Sequence, residues 1–353
     1  MKRSLFRPDA SLPEYIIGRP MNIELKSLLK IEGNIGHKLY SDPASLQKSL
    51  SLIDDFFGIE DILADSNSDI VNQYYKQSLR GYSQLYNRWQ CMHVALHENG
   101  NSEKQAYFAQ AAEISNYLSE PTGLRVLELG CGLGANVVQL ATQHDNVEFV
   151  GIDMMPEYVK RANVKLRSLE NASVICANYE TLPANLGTFD VIFAVETLCY
   201  ATDLDRVAAK IAHLLRPGGR VVVFDAHRKL GFDTLAPDLV TATRLYEVAT
   251  AVSQGFHTEG AWESSFATAG LNIVMSEDIT AKTLHGLSSL HNRSMKAYTD
   301  KKWRLTIKFM PRYLARNTVA GLLGYHVCFG PNEQPDPDQG AVRYQKIVAQ
   351  KPS

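Results

Sequence analysis

The chain reads as an α/β protein, a largely parallel sheet with helices on both faces, and three features predict this. Beyond Gly123, short β-rich runs alternate with segments of helical character, the pattern of strands joined by crossover helices. The first run ends in a glycine-dense bend, Gly130-Cys131-Gly132-Leu133-Gly134, which leads directly into a helix-forming segment at 135–142. The 353 residues, 45% hydrophobic and 21% charged, are ordinary globular material, enough for one large domain with additions or two smaller ones.

In chain order the first element is a helix from Asp42. That residue can cap it, Pro43 sits in a first turn that needs no N–H, and Leu46, Leu50, Ile53 and Phe57 form one apolar face. The polar segment 64–69 (ADSNSD) breaks the pattern, and a second helix starts near Ile70. Along it Tyr75, Leu79, Tyr82, Tyr86, Trp89 and His93 recur at spacings of four, three, four, three and four. This aromatic stripe is either the buried side of a helix or a lid over a ligand. Five strands follow, at 124–130, 148–153, 173–177, 190–195 and 220–226. Between the last two, Leu204, Val207, Ala208, Ile211, Leu214 and Leu215 form a helix face that Arg216-Pro217-Gly218-Gly219 terminates. Two late β-like runs, 271–275 and 342–351, enclose a stretch, 276–341, whose pattern is only loosely organised.

Charge and cysteine usage narrow the function. Thirty-six basic against thirty-eight acidic residues leave a net charge of −2 with no long Lys/Arg run, so nucleic-acid binding by phosphate neutralisation is not expected. The opening residues reach Asp9 and Pro13 without an apolar stretch of signal-peptide length, and no secretory signal is expected. The longest weakly polar stretch, 319–330, is shorter than the ~20 apolar residues a spanning helix needs, so a soluble chain is expected. Five cysteines without a C-x-x-C pair point to neither a zinc site nor a disulfide framework. A reducing, cytoplasmic setting and no metal site are the corresponding expectations.

A strand-to-helix turn built of glycines lets backbone approach a ligand where a Cβ would block it, which points to a nucleotide-like ligand at the carboxyl ends of the strands. Gly130, Gly132 and Gly134 read G-x-G-x-G, and Ala135 stands where the dinucleotide fingerprint has its third small residue. Asp153 closes the second strand twenty-three residues after Gly130, a position suited to accepting both hydroxyls of a ribose. These residues by themselves admit a dinucleotide as well as another nucleoside ligand.

The segments VLELGCGLGANVVQLA, GIDMMPEYVKRA, CANYETLPA, FDVIFAVETLCYATD and LLRPGGRVVVFD resemble, in order and spacing, the five nucleotide-site motifs of class I S-adenosylmethionine-dependent methyltransferases. The resemblance covers about 123–226. QYYKQSLRGYSQLYNRWQCMHVAL, AVETLCYATD and EDIT at 277–280 are similar, more narrowly, to the sterol, tocopherol and related small-molecule methyltransferases. The resemblance implies a Rossmann-like seven-stranded sheet with an antiparallel last strand near 342–351. It also implies an N-terminal helical extension or lid over 1–98, a cofactor-binding domain over 99–353 and, inserted before the last strand, a helical acceptor-site cap over 280–340. Three positions depart from the pattern: Asn178 where the family usually has Asp near the adenine, Tyr200 where sterol enzymes often have His, and Ala95 where the M-H-x-G motif has Gly. The amide keeps an acceptor at the first position; the other two bear on the class of acceptor.

The same resemblance implies that S-adenosyl-L-methionine is the cofactor and distributes the site residues. Asp153 takes the ribose, Asn178 and Tyr179 flank the adenine, and Met154 either covers an adenine face or packs in the core. Glu128 meets the cofactor directly or through the backbone of Gly130, Cys131, Gly132 and Gly134. Glu196, after the fourth strand, binds the cofactor's amino acid part, orients the acceptor or stabilises a cation. Tyr82, Tyr86, Trp89 and His227 are expected against the acceptor, and Glu196, Tyr200 and His93 are the catalytic candidates. His97, His227 and His257 stand beside His93 as possible proton acceptors. The sulfonium carbon of such a cofactor is already electrophilic, so alignment and water exclusion carry most of the acceleration. The expected function is methyl transfer to a small, fairly apolar acceptor, at carbon in preference to oxygen or nitrogen, with carboxylate and aromatic faces available to a developing cation. The other readings are an O- or N-methyltransferase, a nicotinamide-nucleotide dehydrogenase sharing the glycine loop, and a binding subunit of the same fold without turnover. Oligomeric state has no signal in the sequence.

Overall fold

The computed structural model describes residues 45–353 except 66–68, 99, 119–122, 183–185 and 333, all within one compact unit, Tyr40–Ser353. Asp42 and Pro43 lie outside the described residues; helix α1 (Leu46–Phe57) has Ser45 at its N-cap, whose hydroxyl accepts from the Lys48 N–H. Helix α2 (Ile59–Leu63) follows at once, and α3 (Ile70–Gly81) begins where the polar break ends. The aromatic stripe is helical for only part of its expected length. A π-helical turn, Tyr82–Tyr86, ends it. Asn87 then becomes extended, and its side-chain oxygen accepts from the backbone N–H groups of Trp89 and Cys91, both at 3.1 Å. That side-chain-built turn leaves Trp89 and His93 beyond the helix. Helices α4 (Glu103–Tyr107) and α5 (Ala109–Ser115) lead from this arm to the sheet.

The sheet has seven strands: β1 (Arg125–Leu129), β2 (Glu148–Asp153), β3 (Ala172–Cys176), β4 (Phe189–Val195), β5 (Leu215–Arg228), β6 (Asn272–Asp278) and β7 (Val342–Gln350). Their order is β3-β2-β1-β4-β5-β7-β6, with β7 antiparallel to both β5 and β6 and the other pairs parallel. Helices α6 (Ala135–Gln143), α7 (Pro156–Lys165), α8 (Leu204–Leu214), α9 (Pro237–Ala249) and α10 (Ala261–Thr268) join them. Alternate residues of each central strand serve opposite cores. Val126, Phe193, Val222 and Phe224 face one, while Leu127, Ile192, Val221 and Val223 face the other with Trp262 and Phe266. The helix stops just before Arg216-Pro217-Gly218-Gly219, at Leu214, and Leu215, expected on the helix face, already belongs with this tetrapeptide to β5. Leu215 pairs with Phe189, and Gly218 donates to the Lys351 carbonyl at 3.0 Å, so the opening of β5 is held by its neighbours.

The loosely patterned stretch before β7 is three helices, α11 (Leu284–Thr299), α12 (Lys301–Lys308) and α13 (Arg312–Phe329). In α13 the consecutive residues Gly321 to Phe329 are buried, so its apolar residues mark no single face. The N-terminal helices pack on α9 and α13, where Arg316 and Asp65 form a buried ion pair at 2.5 Å. Among the described residues no helix is long and apolar enough to cross a membrane.

Candidate active site

Sequential order reverses between β1 and β4, and a cleft opens at the carboxyl ends of the two strands, the usual ligand position in open α/β sheets. The glycine bend shapes it. Gly130 and Gly132 have φ of 61° and 54°, and a Cβ on Gly132 would lie 2.7 Å from the Met92 sulfur. The bend therefore makes room for protein as well as for ligand: Met92 comes from the arm that follows α3.

The cleft holds a cavity of about 260 Å³. Glu128, Gly130, Cys131, Gly132, Asp153 and Met154 line it, as do Asn178, Tyr179 and Glu196. Gly134 does not; it starts α6 with φ 71°, its Cα side against Ala162 of α7. Asp153 accepts from Gly132 N–H at 2.9 Å and Met155 N–H at 2.8 Å, while burial lifts its pKa. Glu128 is 3% exposed. One oxygen accepts from Asn136 Nδ2 at 2.9 Å, whereas Oε2 is buried without a partner, as is Asn136 Oδ1. Burial first, then the neighbouring Asp153, push Glu128 up to about 8. Asn178 caps a short turn through its own oxygen, accepting from Glu180 N–H at 2.8 Å, and Tyr179 donates to the Thr197 carbonyl at 2.8 Å.

A second cavity of about 90 Å³ lies behind the first and shares Tyr75, Met92, Glu196 and Tyr200 with it. Its other walls include Tyr74, Tyr82, Tyr246, Tyr344, Cys199 and Asp225. Glu196 stands at the junction. It has φ 49°, a strained value for a residue with a Cβ, at the end of β4. Its Oε1 accepts from Val94 N–H at 2.7 Å and from the Tyr344 hydroxyl at 2.9 Å. Burial, reinforced by Asp225, outweighs those bonds and raises it to about 7. Asp225, raised to about 6 by burial, accepts from Cys199 N–H at 2.9 Å. Tyr75 donates to Tyr200 at 3.0 Å, and Tyr200 donates to the Thr250 carbonyl at 2.8 Å. Desolvation keeps both phenols neutral.

The remaining candidates are distributed unevenly. Tyr82 lines the second cavity; Tyr86 packs behind it, ring centroids 5.6 Å apart. Trp89 lines neither cavity and instead packs on Tyr107, with the Arg88 guanidinium 4.5 Å from its ring. His93 lines the first cavity. A carbonyl can only accept, so its Nε2 is the protonated nitrogen, donating to Tyr107 O at 2.8 Å; burial lowers its pKa to about 4. His227, on β5, is buried and lines neither cavity, and neither do His97 and His257. Asn136, Tyr246 and Tyr344 were not singled out by sequence reasoning. Asn136 sits in the first turn after the glycine bend, a position that could have flagged it; the two tyrosines carry no local signal.

The model of the methyltransferase domain family matches residues 126–219. An O-methyltransferase of Aspergillus nomiae is 33% identical over 139 residues, 38% of this chain and 60% of that one. A 24-methylenesterol C-methyltransferase of Arabidopsis thaliana is 26% identical over 165 residues, 46% of this chain and 45% of its own length. The chain thus matches about half of each curated relative. A cyclopropane synthase of Mycobacterium tuberculosis has the same fold, with a TM-score of 0.61 and 14% identity over 83% of this chain and 98% of that one. The match over 126–219, the sheet order and the structural likeness agree on a class I methyltransferase fold built around the glycine bend.

Proposed function

We propose that this chain transfers a methyl group from S-adenosyl-L-methionine, held in the larger cavity, to a small and mostly apolar acceptor in the smaller one, at carbon in preference to oxygen or nitrogen. The observation that carries this reading is the shared wall: among the described residues, Tyr75, Met92, Glu196 and Tyr200 line both cavities. The residues of the larger cavity fit the cofactor. Glu128 Oε2 and Asn136 Oδ1 are buried acceptors without partners, which an ammonium group would satisfy, and Asp153 is a carboxylate suited to ribose hydroxyls. Met154 and Tyr179 offer surfaces for the adenine beside Asn178. When bound, the cofactor supplies an electrophilic methyl group on a sulfonium.

The chain's own residues then hold, orient and exclude water. Among the described residues no imidazole lines the smaller cavity; its polar groups are phenols, the hydroxyls of Thr250 and Thr283, the thiols of Cys199 and Cys328 and the carboxyl groups of Glu196 and Asp225. Aromatic faces and a carboxylate that is half ionised near pH 7 stabilise a positive carbon centre, and Glu196 can afterwards take its proton. The cavity is smaller than the ~150 Å³ hole that accommodates benzene, so it receives the reacting end of the acceptor. The rest of the acceptor enters as the N-terminal helices and the cap over 280–340 part, which is the lid role we assign to them. The free cysteines favour a reducing compartment. Incubation with methyl-labelled cofactor and isoprenoid, phenolic and amine acceptors tests the proposal: a new C–C bond, lost in Glu196→Gln, is expected. Methylation of oxygen or nitrogen alone overturns the preference for carbon. Absence of transfer to every class favours a binding subunit, and preferential binding of NAD+ a dehydrogenase.

A further inference from the structure

Outside both cavities, three metal-ligating side chains converge where the arm between α3 and the sheet meets the cap. His97 belongs to the arm, Glu103 to the first turn of α4 and His285 to the first turn of α11. One donor atom from each lies within 4.8 Å of the others, and the two imidazole rings are 4.1 Å apart, tilted by 46°. The neighbouring carboxylate, Glu98, is already paired with Lys282 at 2.6 Å.

We propose that His97, Glu103 and His285 bind a divalent transition-metal ion of the zinc type. Two ring nitrogens and one carboxylate oxygen suit such borderline ions, whereas Mg²⁺ and Ca²⁺ favour all-oxygen sites. Ligands ~2.0–2.1 Å from a tetrahedral zinc stand about 3.4 Å from one another, so modest rotation of three side chains, two of them exposed, closes the set and leaves a fourth position for water. The site joins segments that already touch. His97 N–H donates to the Lys282 carbonyl at 2.8 Å, and a Cβ on Gly286 would lie 3.3 Å from Val94 Cγ2. Val94 holds Glu196, while Thr283 and Leu287, flanking His285, line the smaller cavity. The ion is a clasp that fixes arm to cap and touches no reacting group.

Co²⁺, whose visible absorption reports low-symmetry nitrogen and oxygen coordination, is the probe for the full chain. One saturable equivalent is expected, displaced by Zn²⁺ and not by Mg²⁺, with a rise in melting temperature on adding Zn²⁺. Loss of an outer partner of a metal ligand weakens affinity roughly 10–100-fold; His97→Ala, Glu103→Gln and His285→Ala, each losing a ligand itself, should weaken it at least that much. Each should also lose the Zn²⁺-induced rise while keeping the metal-free melting temperature and the affinity for S-adenosylhomocysteine. Wild-type chain without saturable Co²⁺ binding, variants that bind Co²⁺ as wild type does, or displacement by Mg²⁺ overturns the proposal.

Discussion

Replacing Glu128 by Gln should uncouple cofactor binding from proton release. In the ligand-free cleft, burial lifts this carboxyl from an ordinary 4.5 to about 8. At about 1.4 kcal/mol per pH unit, ionising it in place costs roughly 5 kcal/mol, so at pH 7 it carries a proton. An ammonium group beside it favours the charged form. Binding of S-adenosylhomocysteine at pH 7 should therefore expel close to one proton at Glu128, and at pH 9, where the carboxyl is already ionised, almost none. Calorimetric titration in two buffers of different ionisation enthalpy counts the protons. Subtracting the count for Glu128→Gln removes the contributions of Asp153 and Glu196, whose pKa values burial also raises. The variant also loses a charge-assisted hydrogen bond worth ~1.5–3 kcal/mol, or about 10- to 150-fold in Kd. Equal proton counts in the two proteins at pH 7, or affinities within threefold of each other, would refute the reasoning.

Ligand-free stability should fall as pH rises from 6.5 to 8. Glu128 at about 8 and Glu196 at about 7 bind more protons folded than unfolded in that interval, and Glu128 alone accounts for about 2 kcal/mol. The buried histidines His93 and His227, lowered to about 4, act in the opposite sense, mostly below pH 6.5 and by only about 0.4 kcal/mol each above it. Urea unfolding at the two pH values checks the sign, and a rise would contradict it. Tyr344→Phe removes the hydroxyl that lowers the Glu196 pKa, so the acid limb of the kcat profile should move up by about half a unit to one unit, a differential of about 1 kcal/mol. Cofactor affinity should stay constant, because Tyr344 lines only the smaller cavity; an unmoved limb argues against a role for Glu196 ionisation. Asp65→Asn leaves the buried charge of Arg316 without its carboxylate and should cost about 3–5 kcal/mol by chemical denaturation; a loss under 1 kcal/mol would show that the N-terminal helices are not anchored there.

Local signals carried much of the fold into the sequence. Strand runs with two buried faces, the glycine bend and Asp153 at a strand end are each legible within a few residues, and they are the parts that build the larger cavity. Tyr246 and Tyr344 were hidden because α9 and β7 bring them into one cavity with Glu196 from 50 and 148 positions away, Tyr344 through the antiparallel pairing of β7 with β5. A helical cap before the last strand was implied by the resemblance, but its separate helices could not be delimited because α13, largely enclosed, has no polar side to set a period. Trp89 and His93 were placed on the helix because their spacing continues it; the π turn and the Asn87 side chain change direction without altering the count. The metal-ligating trio was invisible for the same reason as the tyrosines: His285 meets His97 only in the folded chain.

The most direct test is a crystal structure of the full chain with S-adenosylhomocysteine. The account predicts the ribose on Asp153, the ammonium on Glu128 and the sulfur facing the wall of Tyr75, Met92, Glu196 and Tyr200, toward the tyrosine-lined chamber. Adenosine bound elsewhere, or a sulfur turned away from that wall toward solvent, would contradict it.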